Sequence, residues 1–277
     1  MNRIILVGWT ISLLALTACN NGGSGAGIVL LPPTVETPPP TSVPDPDCNQ
    51  PDAVKTSDVD ALPGGLWIGA LINCVTLKRS EYSVGWVTED GRFRIFGPDR
   101  LLLRGQLGTD GDTFVGSGRE FASTSLSNQS SANLTTSGAI DERTGLLGRW
   151  VTGDGFNGVF ALTYDRGYDL LPSSFDEFPG TRETWELNTN AEGVWTIEPD
   201  GRFNGQDDRG CSQSGEFRLI DSRYNLYEIE YTVVGCADAG FYSGLATVGN
   251  DGLTGDRLLD ISVDNGDQRA YRILIYF

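Results

Sequence analysis

Any acid–base or nucleophilic chemistry in this chain would have to work without histidine, which is absent from all 277 residues. That removes Ser-His-Asp and Cys-His arrangements, in which an imidazole takes the nucleophile's proton. Lysine occurs only as Lys55 and Lys78, so a Ser-Lys dyad has little support. Two carboxylate groupings are left, Asp207-Asp208 and Asp110-Gly111-Asp112. In principle they could supply the two acids of a glycosidase. Both fall at expected hairpin tips, where aspartate serves turn geometry and solubility. Gly116-Ser117-Gly118 and Ser212-Gln213-Ser214-Gly215 set serines beside glycines. Neither forms the GxSxG elbow that leads into a helix. The many Asp-Gly turns lack the fixed ligand steps of a twelve-residue calcium loop. The expectation is a protein that is not an enzyme and uses no cofactor.

Five cysteines divide into one plus four. Cys48, Cys74, Cys211 and Cys236 are candidates for two disulfides in an oxidising compartment. Three pairings are formally open. The local pairs, Cys48 with Cys74 and Cys211 with Cys236, would each stabilise by ~3 kcal/mol in the loop-entropy picture. No CxxC exists, and without histidine a zinc or copper site is not expected. The balance of 20 basic against 37 acidic residues gives a net charge of −17. A surface of that sign repels phosphate backbones, which argues against nucleic acid as a partner. Cationic partners, divalent metals or a salty habitat suit it better.

The odd cysteine, Cys19, follows Arg3 and a mostly apolar run from Ile4 to Leu16. That run is too short for the ~20 residues of a spanning helix and has the layout of a secretory signal over residues 1–18. Leu16-Thr17-Ala18-Cys19 resembles the bacterial lipobox. The resemblance implies that Cys19 is lipidated and becomes the mature N-terminus, so that the membrane is contacted through a lipid anchor. Asn20 is not the aspartate that commonly retains such proteins in the inner membrane, so the expected location is the cell outer membrane, with the leaflet side open. Residues 19–59 read as a tether and lead-in. Gly22 to Gly27 is flexible, and seven of the thirteen prolines fall between residues 32 and 46. Those positions favour extended polyproline II of roughly 45 Å.

Beyond residue 48 a two-residue hydrophobic period dominates. Tyr227, Ile229, Tyr231 and Val233 alternate with Glu228, Glu230 and Thr232, and Tyr271, Ile273, Ile275 and Phe277 form another such face. Asp90-Gly91, Asp110-Gly111, Asp154-Gly155, Asp200-Gly201, Asp251-Gly252 and Asn265-Gly266 suit tight hairpins. Trp86 to Phe93 recurs, with one extra proline, as Trp195 to Phe203, which divides the chain into two related units. The expected fold is all-β: two small antiparallel up-and-down β-barrel domains of about eight strands each, after a disordered lipidated tether. They would occupy residues 60–166 and 180–277, joined by a linker at 167–179. Open sandwiches are the alternative. A transmembrane barrel is disfavoured because most expected strands are shorter than the ~9–11 residues required, although Tyr276-Phe277 resembles the aromatic end of outer-membrane barrels.

Three resemblances bear on function. Gly65-Leu66-Trp67 and Gly193-Val194-Trp195 are similar to the GxW of lipocalins, which implies a ligand-carrying barrel, although tryptophan in a small barrel is more often core. The layout of lipobox, tether and barrels is similar to Gram-negative surface lipoproteins that bind host proteins, with no site carried over. The elements Gly65–Gly69, Glu89–Phe93, Leu146–Trp150, Phe160–Asp165 and Gly210-Cys211 before Asn225–Tyr227 resemble a class of bacterial lipoproteins with no established activity. The expectation is an outer-membrane lipoprotein acting as a non-catalytic binding module for a protein or small-molecule ligand, with Ala122 to Asn133 as the largest loop of the first domain. A structural role in the envelope and a carboxylate-based glycan enzyme are the alternatives.

Overall fold

The computed structural model describes residues 46–277 apart from 98–100, 126–127, 154, 156, 251–255 and 267. The signal, Cys19 and most of the tether lie outside the described residues. Eight strands form a first closed barrel: β1 (Gly65–Asn73), β2 (Lys78–Val87), β3 (Arg92–Phe96), β4 (Leu102–Asp110), β5 (Thr113–Ser125), β6 (Asn128–Asp141), β7 (Gly145–Thr152) and β8 (Asn157–Asp165). One short helix, α1 (Gly167–Leu170), follows. A second closed barrel contains β9 (Gly180–Glu186), β10 (Ala191–Ile197), β11 (Arg202–Asp207), β12 (Ser212–Leu219), β13 (Tyr227–Val234), β14 (Gly240–Asn250), β15 (Arg257–Asp264) and β16 (Ala270–Tyr276). Each strand pairs antiparallel with the next, and β1 with β8 and β9 with β16 close the rings. Closure leaves no sheet edge unpaired, which a sandwich could not achieve.

Alternation sends the apolar residues inward. Along β13, Tyr227, Ile229, Tyr231 and Val233 are buried and join Trp195, Phe203, Phe217 and Tyr242 in one core. Trp195 stacks on Phe203 at 4.2 Å between centroids. In the first barrel Phe114, Trp150 and Phe160 stack through the interior. Glycines face these rings: a Cβ on Gly138 or Gly148 would strike Phe114, and one on Gly158 would overlap the Trp150 ring. Both GxW tryptophans, Trp67 and Trp195, are core residues of this kind. The interiors are packed with rings, and Glu216, Arg218, Glu228 and Glu230 sit on the outer, non-core face of β12 and β13. That polarity is the reverse of a membrane-spanning barrel. Strand length does not carry that distinction, since β5 and β6 run to 13 and 14 residues.

The internal echo holds at its turns. Gly91 and Gly201 have φ of 86° and 87°, a left-handed conformation that glycine adopts without steric cost. In each turn the glycine N–H donates to the residue three back, Thr88 or Glu198, while its carbonyl accepts from Leu107 or Phe217. The tryptophans of the echo are not equivalent. Trp195 lies opposite Gly205 and points inward, whereas Trp86 lies opposite Arg94 and points outward. The extra proline shifts the phase by one residue, and a shift of one exchanges the faces of a strand.

Ala122 to Asn133 is not a loop. β5 and β6 stay paired as far as Ser125 opposite Asn128, with a bulge between Ser123 and Ser125. Serine and threonine accept a solvated hairpin as readily as a loop, and the ladder satisfies their backbone. Disulfides join Cys48 to Cys74 and Cys211 to Cys236. The first fastens the lead-in to the end of β1, and Asp112 fixes the same segment by accepting from the Thr56 amide at 2.8 Å and from Ser57.

The barrels dock side by side through outward residues that are nonetheless buried. Trp86, Leu102 and Phe121 of the first barrel share a core with Leu245 and Ala270 of the second. Arg272 of the second barrel lies over the rings of Phe96 and Trp86, at 5.3 and 6.0 Å, while its guanidinium forms a bidentate pair with Asp260.

Candidate functional site

The carboxylate pairs come apart in the fold. Asp207 points into the second barrel and accepts from the Cys211 amide at 2.9 Å and from the Arg209 guanidinium at 2.6 Å. Its neighbour Asp208 is exposed on the outer face. Arg209 also pairs with Glu186 at 3.1 Å and Asp238 at 2.9 Å, and Arg269 pairs with Asp238. Burial pushes the Glu186 carboxyl above its usual range, and Arg209 and Thr189 work against that push. This network fills the barrel mouth beside the Cys211–Cys236 disulfide. In the other grouping, Asp110 is held by Lys55 at 2.6 Å, and hydrogen bonds from Thr56 and Ser57 pull Asp112 down to about 2. Asp207, Asp110 and Asp112 therefore each have a structural task. The glycine–serine elements do too: a Cβ on Gly118 would overlap the Arg104 carbonyl, and Gln213 turns inward to accept from the Trp195 indole.

Four of the sequence elements, through Trp67, Glu89, Tyr164 and Asn225, meet beside α1 around Arg143, a residue that sequence reading did not single out. Its guanidinium lies 5.1, 5.3 and 5.5 Å from the rings of Tyr164, Tyr168 and Tyr224. It pairs with Glu89 at 3.0 Å and Asp169 at 3.4 Å and donates to the Tyr164 hydroxyl at 2.6 Å, which in turn donates to Asp169. Trp67 packs edge-on against Tyr164 at 5.4 Å, and the Asn225 amide donates to the Tyr168 carbonyl. Burial, then the nearby Glu89 charge, raises the Tyr168 hydroxyl well above its ordinary value, so it stays neutral. Glu89, Tyr164 and Asn225 thus belong to one clasp that ties the first barrel to α1 and the second barrel. Its chemistry is that of a brace, because its cation is enclosed by rings and carboxylates.

Between the barrels lies an open cleft of about 560 Å³. Arg92, Arg94, Arg104 and Gln106 line the first-barrel wall, and Glu228 and Glu230 the opposite one. Arg94 is fully enclosed apart from 9% of its side chain. It reaches Asp264 at 2.6 Å and the Ser243 carbonyl at 2.8 Å, and Asp264 also takes Arg104 at 3.1 Å. Burial lowers the Arg94 pKa, and the Asp264 charge opposes that drop. Arg92 pairs with Glu228 across the cleft. These opposed walls hold the two barrels in register. The signal for them was present in the alternation: Trp86, Arg94 and Phe96 share one outward face, too apolar to stand in water.

A second groove of about 560 Å³ lies on the outer face of β9, β10 and β11, where Trp185, Val194 and Tyr276 are flanked by Glu183, Glu192 and Asp208. Among the described residues no group of histidine, cysteine, aspartate or glutamate side chains is arranged to hold a metal ion, and no helix is long and apolar enough to cross a membrane.

These features define a protein of two docked β-barrels, packed with side chains, whose two larger clefts among the described residues lie outside the barrel cores. No protein family and no curated protein matches the chain in sequence. Among solved structures it is similar to a "putative outer membrane protein" from Bacteroides fragilis, at 14% identity over 77% of this chain and 96% of that chain, with a TM-score of 0.30. A likeness of that degree carries no argument about function.

Proposed function

We propose that this protein is an outer-membrane lipoprotein, anchored through lipid on Cys19, that acts as a non-catalytic binding module through its outer surfaces. The observation that carries this reading is the state of the barrels. Their interiors are packed by rings such as Trp67, Phe114, Trp150 and Trp195, so a ligand has the clefts outside them to occupy. The carboxylates that might do acid–base work support the same reading, because Asp207, Asp110 and Asp112 are engaged by Arg209, Lys55 and the lead-in. Inward apolar packing with charged outer faces suits a domain that meets water and leaves membrane attachment to the lipid.

Two experiments test the proposal. Cys19→Ala should release the protein from the membrane fraction, and retention there would refute the anchor. Crosslinking in intact cells followed by affinity capture should recover a partner that contacts barrel surface residues. Recovery of a retained small molecule by native mass spectrometry, with no protein partner, would move the reading to a carrier. Turnover of a glycan by the purified mature chain would overturn it.

A further inference from the structure

We infer that the outer face of β9 and β10 docks a basic, extended segment of a partner protein, seated on Trp185 and clamped by Glu183, Glu192 and Asp208. The inference deepens the binding-module reading and rests on it. Trp185 is the exception among the described tryptophans: it is 38% exposed, while Trp67, Trp86, Trp150 and Trp195 are at 0 or 1%. Beside it, Val194 is 45% exposed, and half-buried Tyr276 completes an apolar floor. An outward tryptophan at the centre of a polar surface is a typical anchor for a partner.

Charge names the occupant. Glu183, Glu192 and Asp208 are exposed, and no hydrogen bond or ion pair engages their carboxylates among the described residues. Elsewhere in the same barrel the arginines are used: Arg209, Arg218, Arg257 and Arg272 each pair with a carboxylate. No basic side chain lines the groove. The strand register spreads the three acids over the face. Glu192 lies opposite Trp185, Glu183 lies opposite Val194, and Asp208 continues β11 by donating its amide to the Glu192 carbonyl. Three separated anions around aromatic rings suit several cations borne on one chain, with ammonium or guanidinium groups stacking on Trp185 while ion-pairing at its flanks. A single small amine would satisfy only part of the site.

The test uses the mature full chain and a synthetic ten-residue peptide of alternating arginine and leucine. Its controls are the glutamate–leucine counterpart and free spermidine. Binding should shift the tryptophan emission to the blue, because Trp185 is the exposed indole, and should weaken steeply with salt. Trp185→Ala should cost about thirtyfold in affinity, and Glu183→Gln with Glu192→Gln should cost about tenfold or more. Asp221→Asn, at an acid outside the groove, should leave affinity unchanged and serves as the control. Equal binding by the acidic peptide, equal binding by spermidine, or indifference to these substitutions would overturn the inference. If the peptide fails while cell crosslinking recovers a partner elsewhere on the barrels, the groove assignment falls and the binding-module reading stands. If neither finds a partner, both fall.

Discussion

Removing the Asp264 carboxylate should do more damage than removing any surface charge of this protein. Asp264 is 2% exposed and serves two arginines, Arg94 through Oδ2 at 2.6 Å and Arg104 through Oδ1 at 3.1 Å, and Oδ1 also accepts from the Gly266 amide at 2.7 Å. In Asp264→Ala the buried Arg94 guanidinium keeps only the Ser243 carbonyl. An orphaned buried charge of this kind costs about 3–5 kcal/mol. For a folded body of this size each kcal/mol moves the midpoint by roughly 2–4 °C, so a fall of about 6–20 °C is expected in scanning calorimetry. The interface makes a second prediction. Arg94→Met and Asp264→Leu should each be damaging alone and less so together, with a coupling of about 1–3 kcal/mol. A loss below about 1 kcal/mol for Asp264→Ala would show that Arg94 finds water or another partner, and the argument from burial would be wrong. Additivity of the two single changes would refute the pair.

Gly158→Ala should cost about 1–3 kcal/mol in thermal or denaturant unfolding, because its Cβ overlaps the Trp150 ring, whereas Gly249→Ala, with open space around it, should be close to neutral. Replacing Cys211 and Cys236 together by serine should lower stability by about 3 kcal/mol in denaturant titration, and a reducing agent, which also opens Cys48–Cys74, should lower the parent protein by more than that. Asp112 has a folded pKa of about 2, below the unfolded value of about 3.9, so its hold on the lead-in is complete above pH 4 and fades as pH falls toward 2. Pepsin cleavage near Thr56 should therefore accelerate across that window, and Asp112→Asn should abolish the pH dependence. Glu186 works in the opposite sense. Its raised folded pKa means that stability falls as pH rises from the unfolded value of about 4.3 through the folded one, and Glu186→Gln should remove that slope.

Most of the scaffold could be read from the amino acids because it depends on a local rule. A strand with one wet and one dry face must alternate, as Tyr227 to Val233 does, and Asp-Gly pairs supply the positive φ of hairpin turns such as Gly91 and Gly201. Sixteen strands and two eight-stranded barrels follow from counting those signals. Where the local signal was silent the reading failed. Serine, threonine and asparagine do not distinguish a long hairpin from a loop, so Ala122 to Asn133 was misplaced. The echo matched Trp86 to Trp195 by identity, yet one proline reversed the face of the strand. The site was less legible than the fold. Trp185 alternates like any strand residue, and whether an outward aromatic is covered or bare depends on which other element packs over it. Trp86 is covered by the second barrel, and Trp185 is bare.

The sequence by itself determined the repeating β pattern, the turns, the acidic character, the lack of histidine chemistry and the expectation of lipid at Cys19. Each rests on residue type or on neighbours a few positions apart. Only the tertiary structure decided that Asp207, Asp110 and Asp112 are spent, that Arg143 is caged by four chain segments, that Arg94 is buried between barrels and that three acids beside Trp185 are left unpaired. The surroundings of Arg143 and Arg94 join residues tens to more than a hundred positions apart, and whether Trp185 and its acids are covered depends on what else could pack there, so no local rule of propensity or period reaches that far.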